Sequence, residues 1–225
     1  MGHLLYTSVG CLLACATLAP PVAAIDIVVN GDFEEPPVRN LVNGWDIYYA
    51  GTSFPGWTVG GHSIDIVFLD PANPGGTDCW SASSGYQSVD LNGFGPGSIS
   101  QDLSTVVGHD YQLSFMMAGN VVGGPFHVTM EFLWQNAVVG SIGFDVGSHD
   151  GYDVGWTRHE YTLTALTDLT RLTFHSLVAS GPRGPALDDV QVHDVSASVP
   201  DSGPGILAGL VFGGTLLWGR RQQVK

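Results

Sequence analysis

Seven histidines fall between residues 25 and 203: His62, His109, His127, His149, His159, His175 and His193. None is spaced His-x-His or His-x-x-x-His, the intervals that set two imidazoles on one ion, so a metal-dependent catalytic centre is not expected. There is no Gly-x-Ser-x-Gly elbow, phosphate loop or credible Cys-His pair. What the chain holds in quantity is carboxylates and aromatic rings. All 21 Asp and Glu lie between Asp26 and Asp201. That count is compatible with a two-carboxylate polysaccharide hydrolase, but such chemistry needs one acid of raised pKa held in a cleft, and no spacing points to one. The chain is read as a non-enzyme. Its rings offer a different chemistry, stacking on the apolar face of a sugar. Trp45 with Tyr48 and Tyr49, and Trp80, stand in stretches that read as loops and are the glycan-binding candidates. Trp134 lies in an apolar run and reads as core. Asn92, Gln101 and Asn120 are either sugar contacts or turn residues.

The surroundings of those residues are strongly acidic. The region that carries all 21 acids has only four bases (Arg39, Arg158, Arg171 and Arg183) and no Lys, a net charge of −17. Such a surface repels phosphate backbones and excludes nucleic acid as the expected partner, while neutral glycans and divalent cations remain compatible with it. Cys79 is the one cysteine of this region, so no internal disulfide is expected and the fold must rest on its hydrophobic core.

The two ends read as addresses. Residues 1–24 carry an apolar run, Val9 to Ala19, and then Val22-Ala23-Ala24, the pattern of a cleavable secretory signal with its cut after Ala24. Leu12-Leu13-Ala14-Cys15 leaves open a lipidated Cys15. Residues 199–225 begin with Val199, Pro200, Asp201, Ser202 and Gly203. An apolar stretch then occupies about 204–219, ahead of Arg220, Arg221 and Lys225. As a helix that stretch would be short for a ~30 Å hydrocarbon core, with the basic end held in the cytoplasm. A marginal membrane anchor is the alternative. Motif, apolar helix and basic end together resemble a PEP-CTERM type sorting tail of the Val-Pro-Asp-Ser-Gly variety. The resemblance implies processing by an exosortase-type membrane enzyme and a place at the bacterial cell surface or in the extracellular matrix.

Between these ends, residues 25–198 read as one all-β domain. Polar and apolar residues alternate in 63–66, 87–92, 110–115, 160–164, 170–177 and 190–193, the period of half-buried strands. Phe126 to Trp134 and Ala137 to Val146, joined by Gln135-Asn136, read as a hairpin. Turn signals such as Asn43-Gly44 and Asn92-Gly93 separate the segments. Nine or ten short strands without helical periodicity predict a β-sandwich, most simply a jelly roll.

Several ordered fragments resemble the choice-of-anchor C family of bacterial surface proteins. They are Asn30-Gly31-Asp32-Phe33-Glu34, Gly56-Trp57-Thr58-Val59, Ser63-Ile64-Asp65-Ile66-Val67, Gly85 to Gly93, Gly97 to Gln101, Tyr111 to Phe115, Ala118-Gly119-Asn120 and Gly184 to Val190. The resemblance implies a galactose-binding-like jelly roll and a non-catalytic surface module with a polysaccharide or cell-wall glycan as partner. A purely structural surface or biofilm component is the alternative. It also implies that the first and last strands run side by side, and that the Glu34 carboxylate, the Asp32 carbonyl and Asp188 hold a structural calcium. The plainer alternative is that Asp188 and Asp189 end a strand and face water.

Overall fold

The computed structural model describes residues 25–69, 79–123, 126–147 and 149–196. The export signal, the sorting motif and the apolar tail lie outside them. The described residues contain no helix, and form the all-β jelly-roll sandwich that the alternation predicts.

Twelve strands make two six-stranded sheets: β1 (Trp45–Tyr49), β2 (Ser53–Phe54), β3 (Trp57–Gly61), β4 (Ser63–Phe68), β5 (Gln87–Asp90), β6 (Gly97–Ser104), β7 (Asp110–Gly119), β8 (His127–Trp134), β9 (Ala137–Asp145), β10 (Thr157–Thr164), β11 (Leu169–Ser176) and β12 (Pro185–Asp194). The front sheet runs β1-β4-β5-β12-β7-β10 and the back sheet β2-β3-β6-β11-β8-β9. Every pairing between named strands is antiparallel. The expected hairpin is β8–β9. Its Gln135 and Asn136 both adopt positive φ, 55° and 62°, the twist that a two-residue connection needs to match the strands.

Alternation places the core. Val128, Met130, Phe132 and Trp134 of β8 face inward, as do Tyr111, Leu113, Phe115 and Met117 of β7. Between the sheets Phe115, Phe132, Phe174 and Tyr161 interlock. Phe115 meets Phe174 edge-on at 5.0 Å, and Phe132 lies 4.5 Å from Tyr161. In β12 the alternation slips, because Leu187 and Val190 both belong to the core. The register shifts between Asp188 and Gln191, with Asp189 at φ 50°, and this bulge supplies the extra residue. The chain start lies along the same strand: Asp26 bridges His193 in antiparallel fashion, and the Val190 N–H donates to the Gly31 carbonyl.

The front sheet is covered on its outer face as well. Val67, Leu69, Cys79, Trp80, Ala118, Val154 and Ala186 form a second apolar cluster, with Trp45, Val122 and Trp156 packed against it. Trp80 is therefore not the exposed loop ring expected from the sequence. Its indole is 1% exposed and its Nε1–H donates to Ser88 Oγ at 3.1 Å. Trp45 and Tyr48, also expected in a loop, belong to edge strand β1. The physical reason is that β1 pairs in register with β4, so its odd and even residues take opposite faces.

Truncating either core should register as lost stability. Phe132→Ala and Trp80→Ala are each expected to cost about 3–5 kcal/mol in denaturant unfolding, since both remove a fully buried ring.

Candidate functional site

The second cluster ends at a cavity of about 190 Å³, bounded by Trp45, Asp65, Trp80, Asp90, Phe94, Asn120 and Arg183 among others. Strand pairing builds its wall. Asp65 of β4 and Asp90 of β5 are direct cross-strand partners, and Trp45 of β1 is paired with Val67 on the same face. Two acids opposite each other on neighbouring strands repel in water. Here they are held side by side under a partial cover.

Their surroundings differ. Asp90 is fully buried and accepts three N–H groups: Asn120 Nδ2 at 2.7 Å, the Asn92 amide at 2.8 Å and the Gly184 amide at 3.0 Å. Burial, with the Asp65 charge adding to it, pushes its carboxyl well above the ordinary range, against the pull of those donors. Asp65 has no such company. Burial pushes its carboxyl up to about 7, and its Oδ1 is buried without a hydrogen-bond partner among the described residues. The wall thus offers an acceptor in search of a donor.

The loop after β5 completes the site, and its Asn92-Gly93 turn signal has a steric reason. A Cβ on Gly93 would stand 2.7 Å from Ser63 Oγ and 3.0 Å from Asp65 Oδ1. The absence of a side chain lets the loop lie against β4, where Ser63 Oγ accepts the Phe94 N–H at 2.9 Å. The Phe94 ring is thereby set at the rim. Arg183, also at the rim, makes no ion pair with the described residues, whereas Arg171 is paired with Asp102 and Arg158 with Glu160, each at 2.7 Å.

Of the glycan candidates, Trp45 and Trp80 come together at this cavity, Trp45 as a half-buried ring and Trp80 as buried wall. Tyr48 does not join them. It turns to the other face of β1, where its ring lies 5.4 Å from Phe54 in an open groove with Arg39 and Asp46. Burial, and then the Asp46 charge, raise its phenol pKa. Asn120 acts through Asp90. Asn92 donates Nδ2 to the Gly181 carbonyl at 2.9 Å, and Gln101 holds both the N–H and the carbonyl of Val29.

The residues assigned to calcium by resemblance sit around another loop. Glu34 Oε1 accepts the Tyr86 and Gln87 amides at 2.6 and 2.8 Å. Asp188 accepts the Ser83 and Ser84 amides on Oδ2, at 2.7 and 3.2 Å, and the Asp189 amide on Oδ1 at 2.7 Å. Burial, followed by the Asp189 charge, pushes the Asp188 carboxyl up to about 8. Asp188 is buried rather than facing water. Asp32 lies in a shallow acidic depression with Asp26 and Asp189. Carboxylates from the two ends of the domain therefore clamp the 83–87 segment, and a cation would have to share these oxygens with N–H donors. Among the described residues no three His, Cys, Asp or Glu side chains gather as a metal site.

Residues 26–193 match the family described as protein of unknown function, DUF642. The chain belongs to that family. Halomucin of Haloquadratum walsbyi (strain DSM 16790 / HBSQ001) is 27% identical to this DUF642 chain over 197 residues, which are 85% of this chain and 2% of that protein. Similar solved structures include a family 35 carbohydrate binding module from Clostridium thermocellum, at 15% identity over 66% of this chain and 96% of that one, TM-score 0.43. TmCBM61 in complex with β-1,4-galactotriose is 13% identical over 76% and 99% of the two chains, TM-score 0.44. The tandem CBM22 domains of Paenibacillus barcinonensis Xyn10C are 15% identical over 84% and 50%, TM-score 0.46.

Sequence reasoning missed Asp65, Asp90, Phe94 and Arg183 as a group. In the DUF642 chain they come from β4, β5 and two loops, and alternation alone reads both acids as facing solvent. The one available signal was an acid flanked by large aliphatics in each of two strands, Ile64-Asp65-Ile66 and Val89-Asp90-Leu91.

Raised carboxyl pKa values tie this wall to pH. Folded Asp65 keeps its proton where the unfolded chain has lost it, so the folded state binds more protons between about pH 4 and 7 and loses stability as pH rises through that window. Asp65→Asn is expected to flatten this decline, gaining on the order of 4 kcal/mol at pH 8 and almost nothing at pH 4. Unfolding curves at the two pH values check it.

Proposed function

We propose that this protein is an exported, non-catalytic cell-surface or extracellular-matrix module that holds a carbohydrate in the cavity between Trp45, Asp65 and Arg183. The observation that carries this reading is the buried, unpartnered Asp65 Oδ1 beside a half-buried indole. A sugar ring matches both, because it presents hydroxyl donors at its rim and C–H groups on its face. Arg183 and Phe94 add a donor and a second apolar surface. At about 190 Å³ the space is below the 300–1,000 Å³ typical of drug-sized ligands, and suits one small ring.

A hydrolase is disfavoured by the placement of the acids. Glycosidases flank the scissile bond with two carboxyl groups. Asp65 and Asp90 stand on one wall as direct strand partners, and Asp90 is engaged by three N–H donors. Export rests on the residues before Ala24. Sorting by an exosortase-type enzyme and transient membrane anchoring rest on Val199–Gly203 and the tail behind it, all outside the described residues.

Glycan-array screening followed by calorimetry tests the central claim. Binding is expected to at least one neutral glycan, and Trp45→Ala and Asp65→Asn are each expected to weaken it about tenfold or more, the loss of one stacked ring or one charge-assisted hydrogen bond. Absence of binding to every glycan would leave a purely structural surface component. Turnover of a polysaccharide, abolished by Asp65→Asn, would restore the hydrolase.

Calcium at Asp32, Glu34 and Asp188 is a separate part of the proposal with its own readout. Bound calcium would raise the melting midpoint, and a chelator would lower it by several degrees through simple mass action. An unchanged midpoint would assign the 83–87 clamp to hydrogen bonds alone.

A further inference from the structure

Beside the cavity stands an aromatic pair of which the single-ring pocket uses only one member, Phe94. Phe94 is 57% exposed and Tyr49 47% exposed, and their ring centroids are 6.3 Å apart. Single exposed rings are common on protein surfaces. These two adjoin a pocket, and both are fixed by the strands that form it. Trp45, Ile47 and Tyr49 pair with Val67, Asp65 and Ser63 in turn, which puts them on the same face of the front sheet as the Asp65 wall. Four residues of strand carry Tyr49 roughly 13 Å beyond Trp45 along β1.

Phe94 links the two places, because it lines the cavity and also touches Tyr49. Its loop is tied down. The Gly93 amide donates to the Ser63 carbonyl at 2.9 Å, the Gly97 amide to the Leu91 carbonyl at 2.7 Å, and Asn92 bridges Pro96. A Cβ on Gly95 would meet the His62 ring at 3.2 Å, so this side of the loop is packed too. A ring held in this way costs little ordering entropy when a ligand stacks on it. The inner side of the cavity is closed by buried Trp80 and Asp90, which leaves no passage for a polymer to thread through.

We propose that the cavity is the first of two subsites, that the Phe94–Tyr49 pair is the second, and that the ligand is the end of a neutral saccharide chain. The terminal unit enters the cavity and meets Asp65 and Trp45. The penultimate unit lies outside it, on the exposed rings. This inference rests on the carbohydrate reading above, and adds to it the length of ligand recognised and its polarity.

Calorimetry on the purified full chain tests it, with β-1,4-linked galactose, glucose and xylose oligomers of one to four units and the corresponding long polymers as probes. At least one series is expected to gain about tenfold in affinity from one unit to two, with little further gain at three or four. Its polymer should bind in proportion to its chain ends. Tyr49→Ala, outside the cavity, should erase the gain from the second unit while leaving monosaccharide affinity unchanged, and Phe94→Ala, whose ring also lines the cavity, should weaken both. Both residues are exposed, so neither variant is expected to unfold. Equal affinity for one and two units would overturn the second subsite and leave the carbohydrate reading standing. Continued gain through four units, or polymer binding along the chain interior, would overturn recognition of the end. Failure of every probe to bind would overturn both the inference and the reading beneath it.

Discussion

A polar strand face placed under cover must find a partner for every polar atom it hides. The front sheet is subject to that constraint on its outer face, where Ser63, Asp65, Ser88, Asp90 and Asp188 lie. Most of these are answered in full. Ser88 Oγ takes the Trp80 indole N–H, Ser63 Oγ the Phe94 amide, and Asp90 and Asp188 three N–H donors each. Asp65 is the residue left short, and the cavity opens beside it. The site thus stands beside a buried acceptor that the neighbouring side chains leave unanswered. A ligand able to donate hydrogen bonds completes there what the protein does for itself elsewhere on the sheet.

The same accounting explains how residues far apart in sequence are held together. Glu34 and Asp188 reach the 83–87 segment from opposite ends of the domain, and fix the chain as it enters β5. Gln87 extends the clamp through its side-chain amide, accepting the Val38 N–H and donating to the Phe33 carbonyl, both at 2.6 Å. Since β5 carries Asp90 and leads into the Phe94 loop, the position of the cavity wall depends on this clamp. Several side-chain hydrogen bonds to one main-chain segment suit this clamp to holding a short strand of four residues between longer neighbours.

Much of the fold was legible as periodicity. Alternation located β4, β5, β7, β10 and β11, and Gln135-Asn136 marked the β8–β9 turn, because these are local consequences of strand geometry. Alternation could not show that the outer face of the front sheet is covered. Trp80 looks like a loop ring in sequence because its neighbours are polar, yet it is buried by Ala118, Val154 and Ala186 from distant parts of the chain. For the same reason Asp65 and Asp90 look like solvent-facing positions. Trp45 and Tyr48 looked equivalent, three residues apart, until pairing with β4 sent them to opposite faces. The end-to-end convergence of Glu34 and Asp188 was legible only through family resemblance, and the use of their oxygens, on main-chain N–H groups, was not legible at all.

Charge narrows what such a site will accept. The acidic region carries −17 with only four bases, and two of those, Arg158 and Arg171, are spent on neighbouring carboxylates. An anionic polymer approaching the cavity meets a repulsive field from the surrounding acidic surface, which a Debye length of ~8 Å at physiological salt does not remove at contact range. Arg183 alone opposes it. One guanidinium at the rim can orient a hydroxyl or a ring oxygen, but it does not offset a field of that sign for a chain bearing a charge on every unit. An uncharged chain meets no such penalty. It loses only its hydration, and regains donors and acceptors from Arg183 and Asp65 while its apolar face covers Trp45. The acidity of the domain and the acceptor-rich cavity therefore select in the same direction, toward a neutral, hydroxyl-bearing ligand.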